Sequence, residues 1–297
     1  GGVPPIDHAA LQTVIEHQIN GGIDYLVVLG TTGESVALSS EEKQQLLAQV
    51  IEVVKNRVPI VLGVGGNNTA EVVHQLETYD LSGVDGILSV SPYYNKPTQE
   101  GLYQHFVRVA KAVTCPVIVY NIPGRTGIDM TADTLLRVQA ECPNVVATKE
   151  ATGNVLRAQE IVLKSKGAMT VLSGDDGLTL PMISVGAKGV ISVTSNILPA
   201  AVTKATKAAL EARVIDERLR RPGYRIINLT TYANATSEGA DLEIIFKPNA
   251  DLAIWNYLAR EAVKRGAVDK DFVQKHCVFA TGPTDIGFGL RPNDAKG

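Results

Sequence analysis

Cysteine is scarce in this chain. Its 297 residues hold three, Cys115, Cys142 and Cys277. They lie far apart and form no C-x-x-C pair, so their spacing does not point to a structural zinc site. An odd number of cysteines, with no secretory signal at the start, leads us to expect a reducing, cytoplasmic setting. Charge of one sign is scarce too. The formal net charge is -3, with 20% charged residues and no long run of one sign, which gives no electrostatic footprint for nucleic acid or an anionic membrane. No apolar run approaches the ~20 residues of a membrane span. A strand ahead of the first helix is also lacking: Gly1-Gly2-Val3-Pro4-Pro5 has loop composition, and Asp7 is placed to cap the helix that follows. What remains is an ordinary globular composition, 45% hydrophobic, in a length sufficient for one large domain or two smaller ones.

Short runs rich in Val and Ile alternate with longer amphipathic stretches. The strand-like runs are 25–29, 59–64, 86–90, 117–120, 145–148, 170–172 and 189–193. They recur at about the spacing of a βα unit, and they are apolar throughout, as parallel strands buried on both faces must be. Helical patterns lie between them, such as 40–55, where Ser40 is a candidate cap and Glu41 and Glu42 suit the positive helix start. Two architectures answer this pattern, a (β/α)8 TIM barrel one strand short and a doubly wound open sheet. Polar clusters follow nearly every strand, and in a barrel these all face one rim, which favours the barrel.

Those clusters carry the chemistry. Gly30-Thr31-Thr32-Gly33-Glu34-Ser35 follows the first run and is either a ligand-contacting loop or a polar turn. Gly65-Gly66-Asn67-Asn68-Thr69 follows the second, where Asn68 or Thr69 reads best as a helix cap. Tyr93 and Tyr94 are adjacent on a loop bounded by Pro92 and Pro97, an unusual place for core filler and a suitable one for a proton relay or an interface. Tyr120 ends the fourth run, and Arg125 follows on the stiffened loop Ile122-Pro123-Gly124-Arg125-Thr126-Gly127, placed to fork a carboxylate. Lys149 ends the fifth run ahead of Glu150-Ala151-Thr152-Gly153. A lysine at a barrel mouth is partly desolvated, which frees some neutral amine to attack a ketone. Ser173-Gly174-Asp175-Asp176 and the group Ser192, Thr194, Ser195 and Asn196 end the last two runs, as contact loops or as ordinary turns.

Taken in order, G-T-T-G-E-S, S-P-Y-Y-N-K-P, Y-N-I-P-G-R-T-G, K-E-A-T-G-N and S-G-D-D resemble the dihydrodipicolinate synthase family over about residues 1–212. The resemblance implies a TIM barrel, here without its native first strand, and a class I lyase joining pyruvate to aspartate semialdehyde to give 4-hydroxy-tetrahydrodipicolinate in lysine biosynthesis. It needs no cofactor beyond a covalent pyruvate imine on Lys149, and no metal. By the same resemblance Tyr120 shuttles protons in a relay with Thr31 and Tyr94, the latter reaching across from a neighbouring subunit of a homo-oligomer, dimer or tetramer. Thr32 holds the pyruvate carboxylate, Arg125 the carboxylate of the second substrate, and Gly174 and Ile191 supply backbone carbonyls. A lysine-inhibitor site maps to Ser35, Asn67, Glu71 and Tyr93, while Ser40 and Lys43 stand where some members carry histidines. Relatives such as N-acetylneuraminate lyase share the barrel and the imine lysine, but Arg125 favours the synthase.

From about Arg213 the text changes. Residues 213–297 resemble an internal piece of the periplasmic nitrate reductase catalytic subunit, with Thr230, Thr231, Tyr232, Asn249 and Asp251 matching nucleotide-contacting turns, Ala235 where an arginine often follows, and the metal ligands missing. This implies a fusion of two fragments, an α/β tail with strands at 224–229 and 242–246 and a helix at 251–265. Two outcomes follow: an active lyase with a structural tail, or an inactive chimeric or engineered scaffold whose site residues are relics. The run 224–229 is the candidate for a borrowed strand that closes the barrel, with Ile226 and Ile227 between the runs 25–29 and 189–193.

Overall fold

The computed structural model describes residues 6–211 and two short strands beyond them, Ile227–Thr230 and Leu242–Ile245. Two compact units divide the chain, Gly1–Tyr224 and Arg225–Gly297. In the first, the strands are β1 (Leu26–Val28), β2 (Ile60–Gly63), β3 (Gly86–Val90), β4 (Val117–Asn121), β5 (Val145–Glu150), β6 (Thr170–Ser173) and β7 (Gly189–Val190). They form one parallel sheet in chain order. The helices are α1 (His8–Asn20), α2 (Ser40–Val54), α3 (Thr69–Thr78), α4 (Gln99–Lys111), the short α5 (Pro123–Thr126), α6 (Ala132–Glu141), α7 (Val155–Ser165), α8 (Thr179–Ser184) and α9 (Pro199–Glu211). Among the described residues, no helix is long and apolar enough to cross a membrane.

Strand alternation splits the core in two. Val61, Leu88, Ile118, Tyr120, Ala147, Leu172 and Ile191 form one cluster, with Tyr25 and Val27 packed against it. In a flat sheet the first and seventh strands would stand roughly 29 Å apart, six strand spacings. The segments beside those two strands nevertheless meet, Gln18 ahead of β1 bonding the Ser195 carbonyl past β7 at 2.8 Å, so the sheet curls and encloses this cluster in a TIM-barrel-like fold. The alternate residues, among them Ile60, Leu62, Ile87, Val117, Val119, Val145 and Val171, face outward and pack with helix residues such as Leu102 and Phe106.

The helical layer meets itself. The Gln18 side chain on α1 donates to the Ser195 carbonyl at 2.8 Å, His17 Nε2 contacts the Ile197 carbonyl at 3.1 Å, and Lys207 on α9 pairs with Asp24 at 3.2 Å. Gly21 makes the approach possible, because a Cβ there would stand 2.5 Å from Pro199. The strands do not meet in the same way: among the described residues β1 pairs only with β2, and β7 only with β6.

The borrowed closing strand is not found. Ile227–Thr230 (β8) pairs in parallel with Leu242–Ile245 (β9) in a two-stranded sheet of its own, Ile227 opposite Leu242. The competing principle is loop closure: the run at 242–245 is nearer in sequence to β8 than either edge of the seven-stranded sheet, and a shorter loop closes at lower entropic cost. Ile226, Thr231, Tyr232, Ala235, Asn249, Asp251, the helix at 251–265 and Cys277 lie outside the described residues.

Local signals held with small shifts. Asp7 caps α1, accepting from the Ala9 and Ala10 amides, and Asn68 caps α3. The cap of α2 is Ser39 rather than Ser40. Ser39 has Glu42 three residues on, which completes a capping box, whereas Ser40 has Lys43 there and cannot. Strands β4, β5 and β6 run further than the apolar runs suggest, taking in Asn121, Lys149, Glu150 and Ser173. Their polar side chains do not end the strands because the backbone ladder continues beneath them.

Candidate active site

Tyr120 and Lys149 are register partners at the ends of β4 and β5. Side chains directly across a ladder share a face, and both point into the barrel interior: Tyr120 belongs to the inner cluster, and Lys149 Nζ sits 4.3 Å from the centroid of its ring. Lys149 is only 8% exposed. Burial depresses its amine from 10.5 to about 8, and the charge of Asp176 pulls weakly the other way. The aromatic face favours the cation, yet desolvation dominates, so a substantial share of free amine is present slightly above neutrality. Burial raises the Tyr120 phenol, against the nearby Arg125 charge and the Thr31 side chain, so it holds its proton at neutral pH and can donate it.

The loops after neighbouring strands complete the site. Thr31 and Thr32 open a 3-10 turn (Thr31–Gly33) that Glu34 ends in the left-handed region at φ 49. Arg125 rides on α5, whose Pro123 occupies the first turn. Gly174 follows β6, its amide donating to the Glu150 carbonyl at 2.7 Å. A Cβ on Gly174 would stand 2.7 Å from the Ala151 side chain and 3.1 Å from Lys149 Cε, so only glycine lets β6 end this close to the lysine. Ile191 is buried in the inner cluster, and its amide donates to the Ser173 carbonyl at 2.9 Å.

A cavity of about 420 Å³ opens on this end of the barrel. Its lining brings together Thr31, Tyr120 and Arg125 and continues to Ser35, Asn67, Glu71 and Tyr93. Lys149 is not in that lining and meets the cavity through the Tyr120 ring. Tyr94 is not in it either. At φ 69 and 86% exposed, it projects from the loop into solvent. Asp176 is the residue the sequence alone did not single out. Burial raises its carboxyl, but the Ser192 hydroxyl and the amides of Thr194 and Val193 outweigh this and hold it below the usual range. Its Oδ2 accepts from both amides at 3.0 Å, which fixes a negative charge near Lys149. Only its place in S-G-D-D hinted at this, and one of two adjacent aspartates cannot be told from the other by pattern.

The sequence profile of the dihydrodipicolinate synthetase family matches residues 4–227. The chain belongs to that family. A 4-hydroxy-tetrahydrodipicolinate synthase of Parabacteroides distasonis is 48% identical over 205 residues, 69% of each chain. The crystal structure of dihydrodipicolinate synthase from Aquifex aeolicus superposes with a TM-score of 0.68 at 46% identity, over 70% of this chain and 71% of that one. That of the chloride-inhibited enzyme from Acinetobacter baumannii complexed with pyruvate gives 0.67 at 43% identity, over 71% and 72%. The chain is thus a lyase of the dihydrodipicolinate synthetase family with its TIM-barrel-like fold.

Proposed function

We propose that this lyase condenses pyruvate with aspartate semialdehyde to give 4-hydroxy-tetrahydrodipicolinate, working through an imine on Lys149. The observation that carries it is the buried Lys149 amine, depressed to about 8 and held against the Tyr120 ring. The free amine attacks the pyruvate ketone carbon, and the resulting carbinolamine loses water to an iminium. The iminium drains electrons from the methyl carbon, which gives up a proton to become an enamine. The enamine carbon then attacks the aldehyde carbon of the second substrate, re-forming the iminium, and that substrate's own amino group adds to the iminium carbon, closing the ring and expelling the Lys149 amine. Tyr120 is placed to pass protons at each addition and loss, with Thr31 beside it and Tyr94 of a neighbouring subunit completing the relay. Thr32 takes the pyruvate carboxylate, the backbone carbonyls of Gly174 and Ile191 face the reacting carbons, and Arg125 forks the carboxylate of aspartate semialdehyde. At the far end of the same cavity, Ser35, Asn67, Glu71 and Tyr93 fit an amino-acid effector, with Glu71 opposite its ammonium group.

Borohydride reduction in the presence of pyruvate tests the first half. Intact-mass and peptide analysis are expected to find one adduct, on Lys149, and none in Lys149→Arg, whose guanidinium stays protonated. Label on another lysine, or a folded protein of unchanged mass, sinks the reading. For the second half, Arg125→Ala should weaken use of aspartate semialdehyde by the equivalent of about 1.5–3 kcal/mol while labelling proceeds. Equal loss in both half-reactions would make Arg125 structural.

A further inference from the structure

One residue beyond the reacting pair, on the opposite face of the same two strands, lies a polar cluster in an otherwise apolar layer. Asn121 and Glu150 are register partners, next in the ladder after Tyr120 and Lys149. Alternation turns them outward, beneath α6 and α7, where each is 1% exposed. Asn121 Nδ2 donates to Glu150 Oε2 at 3.2 Å and to Asp129 Oδ1 at 2.8 Å, while Asn121 Oδ1 accepts from the Met130 amide at 3.2 Å. Thr148 Oγ1 donates to Glu150 Oε1 at 3.1 Å. Arg157, on α7 and 9% exposed, brings Nε to 3.8 Å from Glu150 Oε2 and donates through Nη2 to the Met130 carbonyl. The backbone joins in: the Ala151 amide donates to the Asn121 carbonyl at 2.9 Å, and the Gly174 amide to the Glu150 carbonyl at 2.7 Å.

Such a cluster is an expensive way to fill space. Burial pushes the Glu150 carboxyl up to about 7 despite Arg157, Asn121 and Thr148, and apolar residues of similar volume in place of a buried ion pair are often neutral or stabilising. The outer face of the same strands uses such residues lower down, at Val117, Val119 and Val145. On β4 and β5 the polar groups gather at the end of the ladder, next to the reacting pair. Hydrogen bonds, unlike valine contacts, are directional, and those that tie Asn121 to Glu150 and Asp129, and Thr148 to Glu150, favour one register and one angle between the strand tips, while Arg157 Nε adds charge without a hydrogen bond.

We propose that the Asn121–Glu150 pair, braced by Arg157, Thr148 and Asp129, is a positioning device that fixes Tyr120 relative to Lys149 across β4 and β5. The inference rests on the imine reading above and extends it to residues that touch no substrate. A displacement of about 1 Å in an aligned pair lowers the rate by up to about a hundredfold, so the effect belongs in turnover and not in substrate binding.

The test compares Asn121→Ala, Glu150→Ala and Glu150→Gln with wild type, at temperatures where circular dichroism shows each folded. The readouts are kcat, the KM for pyruvate and the rate of borohydride-trapped labelling of Lys149. Asn121→Ala and Glu150→Ala are expected to lose about tenfold or more in kcat and labelling rate, with KM little changed. Glu150→Gln keeps the acceptor for Asn121 and should recover most of the loss. Should the alanine variants fail to fold, the milder Thr148→Val carries the same comparison. Wild-type kcat and labelling in folded variants that are merely less heat-stable would overturn the proposal, and so would equal loss in Glu150→Gln and Glu150→Ala. A wild type that takes no label overturns the functional reading together with this inference, whereas a labelled wild type with unimpaired variants overturns the inference alone.

Discussion

At the scale of single residues, the amine of Lys149 is a liability that the fold carries. In the unfolded chain it titrates near 10.5, and in the barrel near 8. The folded state therefore binds its proton more weakly. Below pH 8 both states are protonated and the folded one bears the whole penalty. Between 8 and 10.5 the penalty fades, and above that it is gone. A shift of this size corresponds to about 3 kcal/mol. Lys149→Met should accordingly raise the urea midpoint at pH 7, with an advantage that shrinks as the pH is raised to 10. A midpoint unchanged or lowered at pH 7 would mean that the lysine is not desolvated. This residue was legible in the sequence because an apolar strand ending in lysine fixes both burial and place. Asp176 was not, since its effect arises from accepting the Val193 and Thr194 amides across a loop, and pattern does not encode such a pairing.

At the scale of elements, strands and helices announced themselves through unbroken Val and Ile runs and through caps, and the errors lay at their ends. The strands β4, β5 and β6 outrun their apolar runs because buried side-chain bonds, such as Asn121 to Glu150, satisfy the polar residues in place. The contact between α1 and α9 was illegible, because it joins segments at the two ends of the barrel sequence through a glycine that has no pattern of its own. Gly21 sits at φ -73, where any residue is at ease, so its role is closeness and not backbone freedom. Alanine there would place a Cβ 2.5 Å from Pro199 and 3.0 Å from the Ala200 nitrogen. Both are the rigid opening turn of α9 and cannot swing aside. Gly21→Ala is therefore expected to lower stability by about 1–3 kcal/mol, the usual range for overpacking, as read from the urea midpoint. If the midpoint does not move, α1 and α9 are not in the tight contact seen here.

At the scale of the whole molecule, the barrel places most of the reacting groups on one rim and leaves one outside. Thr31, Tyr120, Arg125 and Lys149 converge, while Tyr94, from the same sequence logic, stands 86% exposed on a left-handed turn. A large aromatic this exposed gains little from packing in its own chain, which agrees with the proposal that its phenol serves a neighbour's site. That idea rests on the family resemblance, since no feature of S-P-Y-Y-N-K-P by itself says which tyrosine turns inward. Subunit mixing decides it. Under the proposed mechanism Tyr94→Phe removes a relay hydroxyl and Lys149→Arg the nucleophile, so a dimer of either variant alone should be nearly inactive. In a hybrid dimer with a crossed tyrosine, one site combines Lys149 of the first chain with Tyr94 of the second and is whole, while the other site lacks both. Equal co-expression should then restore about a quarter of the sites, because half the dimers are hybrid and each has one intact site. If Tyr94 instead served its own chain, every site in every dimer would lack one group. The mixture would then be as inactive as its parents, and the exposed tyrosine would need another explanation.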